Sequence, residues 1–423
     1  MIKGLAKNEY VISLSNKISV AVISLFTSVL LNRYLGASIK GEFASMLAYT
    51  SLAATVLDLG IYQAYPYFKK KLGTQMLSSF ANLIFLQFVF YLAISFILAA
   101  FVGDPATKLA IVIVPTIIYG VQLSNIVLAE DIKYRSKANV TSNIFNLVVL
   151  AVLFFVFKKC NNVIIPLSIT LTVQIVVISL LSRRIKIRIK VKGIDWNLIW
   201  KILKFGFYPM LTLLLLTLNY KIGIITLRSL GVSTARIGVF STGVGLSAYM
   251  WIIPDGFKDV MFNKTSKGNP VEELLIVLKV TFLVGICSVI GVSLFGRQII
   301  ILLYGLEFAP AYKVTIVLFA GIISMMYFKI IGTLFLSNGK REIYFFTLLG
   351  SVTLNIIFNF LLIPHFEIMG TAVATGVSYT VMGIVFVIAF SRMYNIKVRR
   401  MFILNKQDIR TISGSFKNML GKS

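Results

Sequence analysis

Acidic residues are scarce in this chain: 15 Asp and Glu stand among 423 residues, against 42 Lys and Arg. Histidine occurs once and cysteine twice. His365 has no ligand cluster around it, so it nominates no metal site, and Cys160 and Cys287, in a loop and a helix, are poor disulfide partners. Glu9, Glu130 and Asp255 lie at helix ends, and Asp255 with Asp259, spaced i and i+4 around Lys258, reads as surface charge. Little here supports a catalytic carboxylate pair or a deep proton relay.

What is abundant is apolar. The chain is 58% hydrophobic and 13% charged, with 33 Phe, more than a soluble domain can hide. Crossing a ~30 Å hydrocarbon core takes about 20 apolar residues in a helix, which satisfies its own backbone hydrogen bonds. Twelve such runs occur, at about 10–32, 43–64, 77–101, 108–129, 139–157, 163–182, 208–228, 237–261, 273–295, 313–336, 342–363 and 369–391. Asn16 and Lys17 interrupt the first, which therefore reads as an anchor and not a cleaved signal.

The net charge of +27 suggests nucleic acid until its distribution is considered. With a cytoplasmic N-terminus, 27 Lys and Arg fall in inner loops and tails and 9 in outer loops. That bias is the positive-inside rule, so both termini are expected in the cytoplasm, with anionic lipids and not nucleic acid as the partner of this charge.

The longest polar connection, "RRIKIRIKVKGIDWNLIWKILKFGF", follows the sixth run. It divides the chain into an N-lobe (1–182), a basic cytoplasmic linker (183–207), a C-lobe (208–392) and a basic tail (393–423). In the linker Asp195 is placed to cap a short interfacial helix carrying Trp196, Ile199, Trp200 and Leu203 on one face.

An echo relates the lobes. "NRYLGASIKGEFAS" (32–45) and "LRSLGVSTARIGVFS" (227–241) share Arg33/Arg228, Leu35/Leu230, Gly36/Gly231 and Ser38/Ser233. After a two-residue offset they share Gly41/Gly238 and Phe43/Phe240, and fifteen residues beyond each Phe stands an acid, Asp58 or Asp255. An even number of runs separates the copies, so the expected architecture is all-α, about twelve membrane helices in two parallel six-helix repeats around a central cavity.

Charges inside spanning helices are costly and mark cavities. Lys221 lies near the midplane of its run, with Thr217 and Arg228 on the same face. Lys17 shares a stripe with Ser13, Ser24 and Ser28, and Lys329 with Thr333 and Ser337. These lysines are expected to line an inward-opening cavity for an anionic substrate, although Lys17 and Lys329 are close enough to the surface to snorkel. Arg33 and Arg228, near outer helix ends, fit either that cavity or helix capping. Asp58 joins the candidates from the second run. Thr347, Ser351, Asn355 and Asn359 form a ladder suited to sugar hydroxyls or to interhelical bonding.

"NRYLGASIKGEFA" followed by "LDLG", "LNYKIGI" leading into "IGVFSTGVGLSAYMWIIP", "LLYGLEFAPAY" and "LIPHFEIMGTAVAT" together resemble the Wzx-type polysaccharide flippases, relatives of the MATE exporters and lipid II flippases. The likeness covers essentially the whole membrane domain. It implies a MATE-like fold, no enzyme activity and no cofactor beyond an H+ or Na+ gradient. It also implies alternating-access movement of an undecaprenyl-diphosphate-linked oligosaccharide between leaflets of a bacterial cytoplasmic membrane, for O-antigen or capsular polysaccharide, beside other glycan-assembly proteins. Lys221 matches the basic position of the family's seventh-helix motif, while Gly223 stands where many relatives carry an acid. Rival readings are an exporter of other amphipathic molecules and a membrane glycan polymerase or ligase. The short outer loops weigh against the latter.

Overall fold

The computed structural model describes residues 2–185, 195–252, 254–255, 271–405 and 408, with side chains from Lys17 onward. The side chains of Glu9 and Ser13, linker residues 186–194, Lys258 with Asp259, and the tail beyond 408 lie outside the described residues. The described chain is helical, with no strand: α1 (Ile2–Leu57), α2 (Ile61–Leu72), α3 (Met76–Phe101), α4 (Pro105–Glu130), α5 (Ile132–Phe157), α6 (Ile164–Ser182), α7 (Trp196–Ser229), α8 (Thr234–Ser247), α9 (Val271–Tyr304), α10 (Ala311–Ser337) and α11 (Arg341–Tyr394).

Among the described residues nine helices, not twelve, are long and apolar enough to cross a membrane. The difference lies in joints. α1 has 56 residues, far more than one crossing at ~1.5 Å per residue needs, and it breaks at Gly36 (φ 66°, ψ 172°). α11 has 54 residues and breaks at Glu367 (φ 48°, ψ −123°). Its halves fold back on each other: Ser351 Oγ donates to the Ser378 carbonyl at 3.1 Å, and a Cβ on Gly370 would lie 2.5 Å from the Leu362 oxygen. Each long helix therefore holds two of the expected runs. The eighth run begins as α8 and a 3-10 turn (Ala248–Trp251), and part of it lies outside the described residues.

Asp195 is the expected N-cap, its Oδ1 accepting from Leu198 N–H at 3.1 Å. The helix it starts is not a separate interfacial one, however. It runs on through Pro209 as the 34-residue α7, which contains the seventh run.

Two compact units form: residues 1–242 with 300–309, and residues 243–299 with 310–423. They do not coincide with the lobes read from the repeat, because α7 packs in the first unit. Glycines explain why. A Cβ on Gly41 would lie 1.7 Å from the Thr234 oxygen, and one on Gly238 would lie 1.9 Å from the Ala37 oxygen. Each glycine thus admits the carbonyl four residues before the other, and Ser38 Oγ meets Thr234 Oγ1 at 3.0 Å beside them. The echoed motifs touch reciprocally, and both motif glycines at the joints, Gly36 (φ 66°) and Gly231 (φ 74°), take left-handed backbone. A second mutual approach, Gly60 against Gly206, joins the start of α2 to α7.

Within each unit one helix is most enclosed: 61% of the apolar window is buried in α4 and 67% in α10, against 11% in α3 and α5. These are the fourth helices of the two repeats. The outer helices present large apolar side chains such as Phe96, Phe101 and Phe155, which suit lipid and not water.

Candidate functional site

In the first unit Ser51, Thr55 and Asp58 occupy one face of the segment of α1 that follows Gly36. Leu213, Thr217, Tyr220 and Lys221 share one face of α7, and Thr55 Oγ1 lies 3.3 Å from Thr217 Oγ1. Between these faces is a cavity of 280 Å³, completed by Tyr62 of α2 and by Ile117, Ile118 and Val121 of α4. Its wall is polar on the α1 and α7 sides and apolar on the α4 side.

Lys221 supplies the cavity's ammonium and forms no ion pair among the described residues. Its electrostatic neighbour is a second cation, Lys40, whose Nζ lies 5.9 Å from the Phe43 ring centroid. Hydropathy alone puts Lys40 in an outer loop. Because the helix resumes directly after Gly36, it belongs to the same face as Ser51, eleven residues on, and that spacing is the signal that could have found it.

Asp58 supplies the carboxylate. It is 4% exposed, its Oδ2 accepts from Gly60 N–H at 3.3 Å, and its Oδ1 accepts no hydrogen bond among the described residues. Fully buried Gln122 of α4 donates from Nε2 to the Asp58 backbone carbonyl (3.1 Å) and to Gln87 Oε1 (3.0 Å). Gln87 of α3 in turn donates to the Leu57 carbonyl at 2.9 Å. These amides tie three helices together at the end of α1.

The other expected site residues lie elsewhere. Lys17 is half-buried on the first part of α1. Arg33 donates to the carbonyls of Leu302 and Leu303, capping the C-terminus of α9, and Arg228 is exposed in the last turn of α7. For both, the capping position outweighs a place in the cavity. In the second unit Lys329 pairs with Asp255 at 2.9 Å beneath Trp251, 4.3 Å from its ring centroid, so its charge is already answered. Asp255 is accordingly an ion-pair partner and not simple surface charge. Asn355 and Asn359 are wholly inaccessible; Asn359 Nδ2 donates to Asn355 Oδ1 at 2.7 Å, and Ser351 bonds across α11. That ladder is packing in this structure, since the two halves of α11 close over it. Lys221 and Asp58 are thus the two expected residues that meet in one cavity.

No protein-family model matches the chain. Over 165 residues it is 25% identical to the capsular polysaccharide biosynthesis protein CapF of Staphylococcus aureus, covering 37% of this chain and 42% of CapF. The chain thus spans about two fifths of the curated relative it matches. Among solved structures it is similar to the lipid II flippase MurJ in an inward closed conformation, with TM-score 0.70 and 15% identity over 92% of this chain and 89% of that one. It is also similar to an inward-facing multidrug resistance MATE family transporter of the MOP superfamily, with TM-score 0.68 and 14% identity over 93% and 98%. At such identities the likeness establishes the fold, which is the all-α membrane fold that those structures share.

Proposed function

We propose that this protein is a flippase that moves undecaprenyl-diphosphate-linked oligosaccharide from the inner to the outer leaflet of a bacterial cytoplasmic membrane by alternating access. The observation that carries the reading is Lys221, an ammonium without an ion-pair partner among the described residues, on the wall of a membrane-embedded cavity. An ammonium held away from bulk water attracts a phosphate far more strongly than one in solution. Thr55, Thr217, Tyr62 and Tyr220 offer hydroxyls to the adjoining sugar, and the prenyl chain needs only lipid. The limited likeness to CapF supports a glycan product, capsule or O-antigen, and the MurJ fold supports a lipid-linked substrate. Both termini are assigned to the cytoplasm by the distribution of basic residues.

The test is export of lipid-linked glycan at matched protein level. Losing a charge-assisted phosphate contact costs about 1.5–3 kcal/mol, so Lys221→Ala is expected to lower export about 10- to 100-fold while Lys221→Arg retains a measurable part. Unchanged export in both variants would remove the substrate role of this lysine. In a deletion strain, repeat units should accumulate on the inner leaflet; normal translocation with no long chains would point to a polymerase.

A further inference from the structure

One cation of the first unit is left over after its neighbours have paired. The stretch "LAEDIKYR" (128–135) turns α4 into α5 and sets two acids close in sequence to an arginine. Both acids are engaged elsewhere. Glu130 accepts from Lys69 Nζ at 2.6 Å and from the Tyr65 hydroxyl. Asp131 accepts from Arg184 Nε at 3.0 Å and from Tyr134 N–H at 2.9 Å. Arg135 pairs with neither. It is half-buried, and among the described residues its one hydrogen bond runs from Nε to Ser124 Oγ of α4, at 3.2 Å. The terminal Nη1 and Nη2 carry no bond there and are open, not enclosed.

Capping does not account for this arginine. Arg33 and Arg228 stand at helix C-termini, where the dipole favours a cation, whereas Arg135 is in the first turns of α5, at the end where it does not. Its anchor belongs to a particular wall. Ile117 and Val121 of α4 line the cavity, and Ser124 is the next residue on that face, at i+7 and i+3. Arg135 itself lies outside the cavity, beyond its Asp58 end. The close approaches of Gly41 to Gly238 and of Gly60 to Gly206 make α1 and α7 antiparallel, and Thr55 faces Thr217, so Lys221 stands level with Ser51. Gln122 bonds the Asp58 carbonyl, which places Ser124 past that level. At ~1.5 Å per residue, Lys221 and Ser124 differ in level by about 13 Å, more than a single phosphate can bridge. With 26 residues, α5 is longer than a ~30 Å hydrocarbon core requires, so its first turns reach the headgroup region.

We propose that Arg135, anchored by Ser124 and flanked by Asn139, binds the phosphate of a lipid head beside the mouth of the cavity, separately from Lys221. A guanidinium held through Nε presents its two Nη groups as a planar fork, which matches two oxygens of one phosphate. Asn139, one turn on along the same face, has its Oδ1 engaged by Asn143 Nδ2 at 3.3 Å and keeps its own Nδ2 as a further donor. Exposed Lys133 and Lys137 keep the surroundings positive. The site itself does not depend on what is transported. Its role rests on the flippase reading: the diphosphate head of the substrate meets Arg135 first, at headgroup depth, and then passes to Lys221.

The experiment uses the purified full chain in a maltoside detergent, which carries no phosphate. Its thermal midpoint is followed as phosphatidylglycerol, sugar-free undecaprenyl diphosphate or pyrophosphate is added. Wild type should show a saturable rise with at least one of the two lipids, and Lys221→Ala should keep a rise, because the two cations are separate. Arg135→Gln should weaken the apparent Kd about 10- to 100-fold, the loss expected for a charge-assisted contact to phosphate. Arg135→Lys, which has the charge without the fork, and Ser124→Ala, which releases Nε, should each weaken it less. Arg135→Gln gives up one hydrogen bond to a neutral serine, so its midpoint without ligand should stay close to that of wild type. A rise with undecaprenyl diphosphate alone identifies the transported head; a rise with phosphatidylglycerol, alone or as well, identifies a general lipid-phosphate site. No rise with either lipid, a rise with pyrophosphate alone, or Arg135→Gln responding as wild type does would overturn the proposal. So would a response that Lys221→Ala abolishes. Export that proves independent of Lys221 would leave this binding result standing, so the two readings fail separately.

Discussion

At the scale of single residues, the chain answers most of its buried charges with a named partner. Lys279 of α9 is 2% exposed, and its Nζ meets Asp408 Oδ2 at 2.6 Å. The carboxylate comes from beyond the last helix and is held in place by reciprocal 2.8 Å bonds with Asn405. Removing one member of such a pair strands a buried charge at about 3–5 kcal/mol, whereas removing both is far cheaper. Asp408→Asn should therefore lower the thermal midpoint sharply, and Lys279→Met combined with Asp408→Asn should restore much of the loss. Burial pushes the Asp408 pKa up, but the Lys279 ammonium and the Asn405 N–H outweigh it and hold the carboxyl below its ordinary range. A depressed folded pKa gives stability that is fully present above the unfolded value, about 3.9, and lost as pH falls through the folded value. This contribution should thus be constant from neutrality to about pH 4 in a pH series of thermal midpoints. The Arg400–Glu272 pair, with side chains 52% and 70% exposed, should add at most about 1 kcal/mol.

At the scale of elements, glycine positions separate packing from permissive surface. The Cβ of Gly41→Ala would enter the Thr234 carbonyl and that of Gly238→Ala the Ala37 carbonyl, backbone atoms that cannot swing aside as a side chain would. Either substitution should sharply reduce folded protein in detergent chromatography. Gly245→Ala in α8, with open space around its Cβ, should be neutral or stabilising by up to about 1 kcal/mol. Much of this layer was legible: the two glycine motifs, their positive-φ joints and the Asp195 cap follow from residue type and spacing. Helix ends were less so, because hydropathy reports which residues suit lipid and is blind to a polar stretch that stays helical. That is why α7 absorbs the expected interfacial helix. The break at Glu367 escaped for a different reason, since a non-glycine residue with φ 48° carries no local signature. At the site, Lys221 and Asp58 were legible as charges within apolar runs. Lys40 was hidden by the assumption of a loop, and the partners of Lys329, Asn355 and Asn359 depend on contacts between distant segments.

At the scale of the whole molecule, orientation is the property that charge alone should decide, and the chain allows a direct test. Its basic residues predict that the link between α3 and α4 faces outward and the link between α10 and α11 faces inward. Gly103 lies in the first link, exposed, with open space where a Cβ would stand, and Lys340 is exposed in the second. Both accept cysteine without loss of packing. The background needs only Cys160→Ala and Cys287→Ala; Cys287 is exposed, and Cys160, though buried, gives up an Sγ contact to the Asn162 carbonyl at 3.1 Å and a side-chain contact with Tyr34. A membrane-impermeant maleimide should label Gly103→Cys in intact spheroplasts and Lys340→Cys only after permeabilisation. The reverse pattern would turn the Asp58 end of α1 outward and overturn the cytoplasmic placement of both termini.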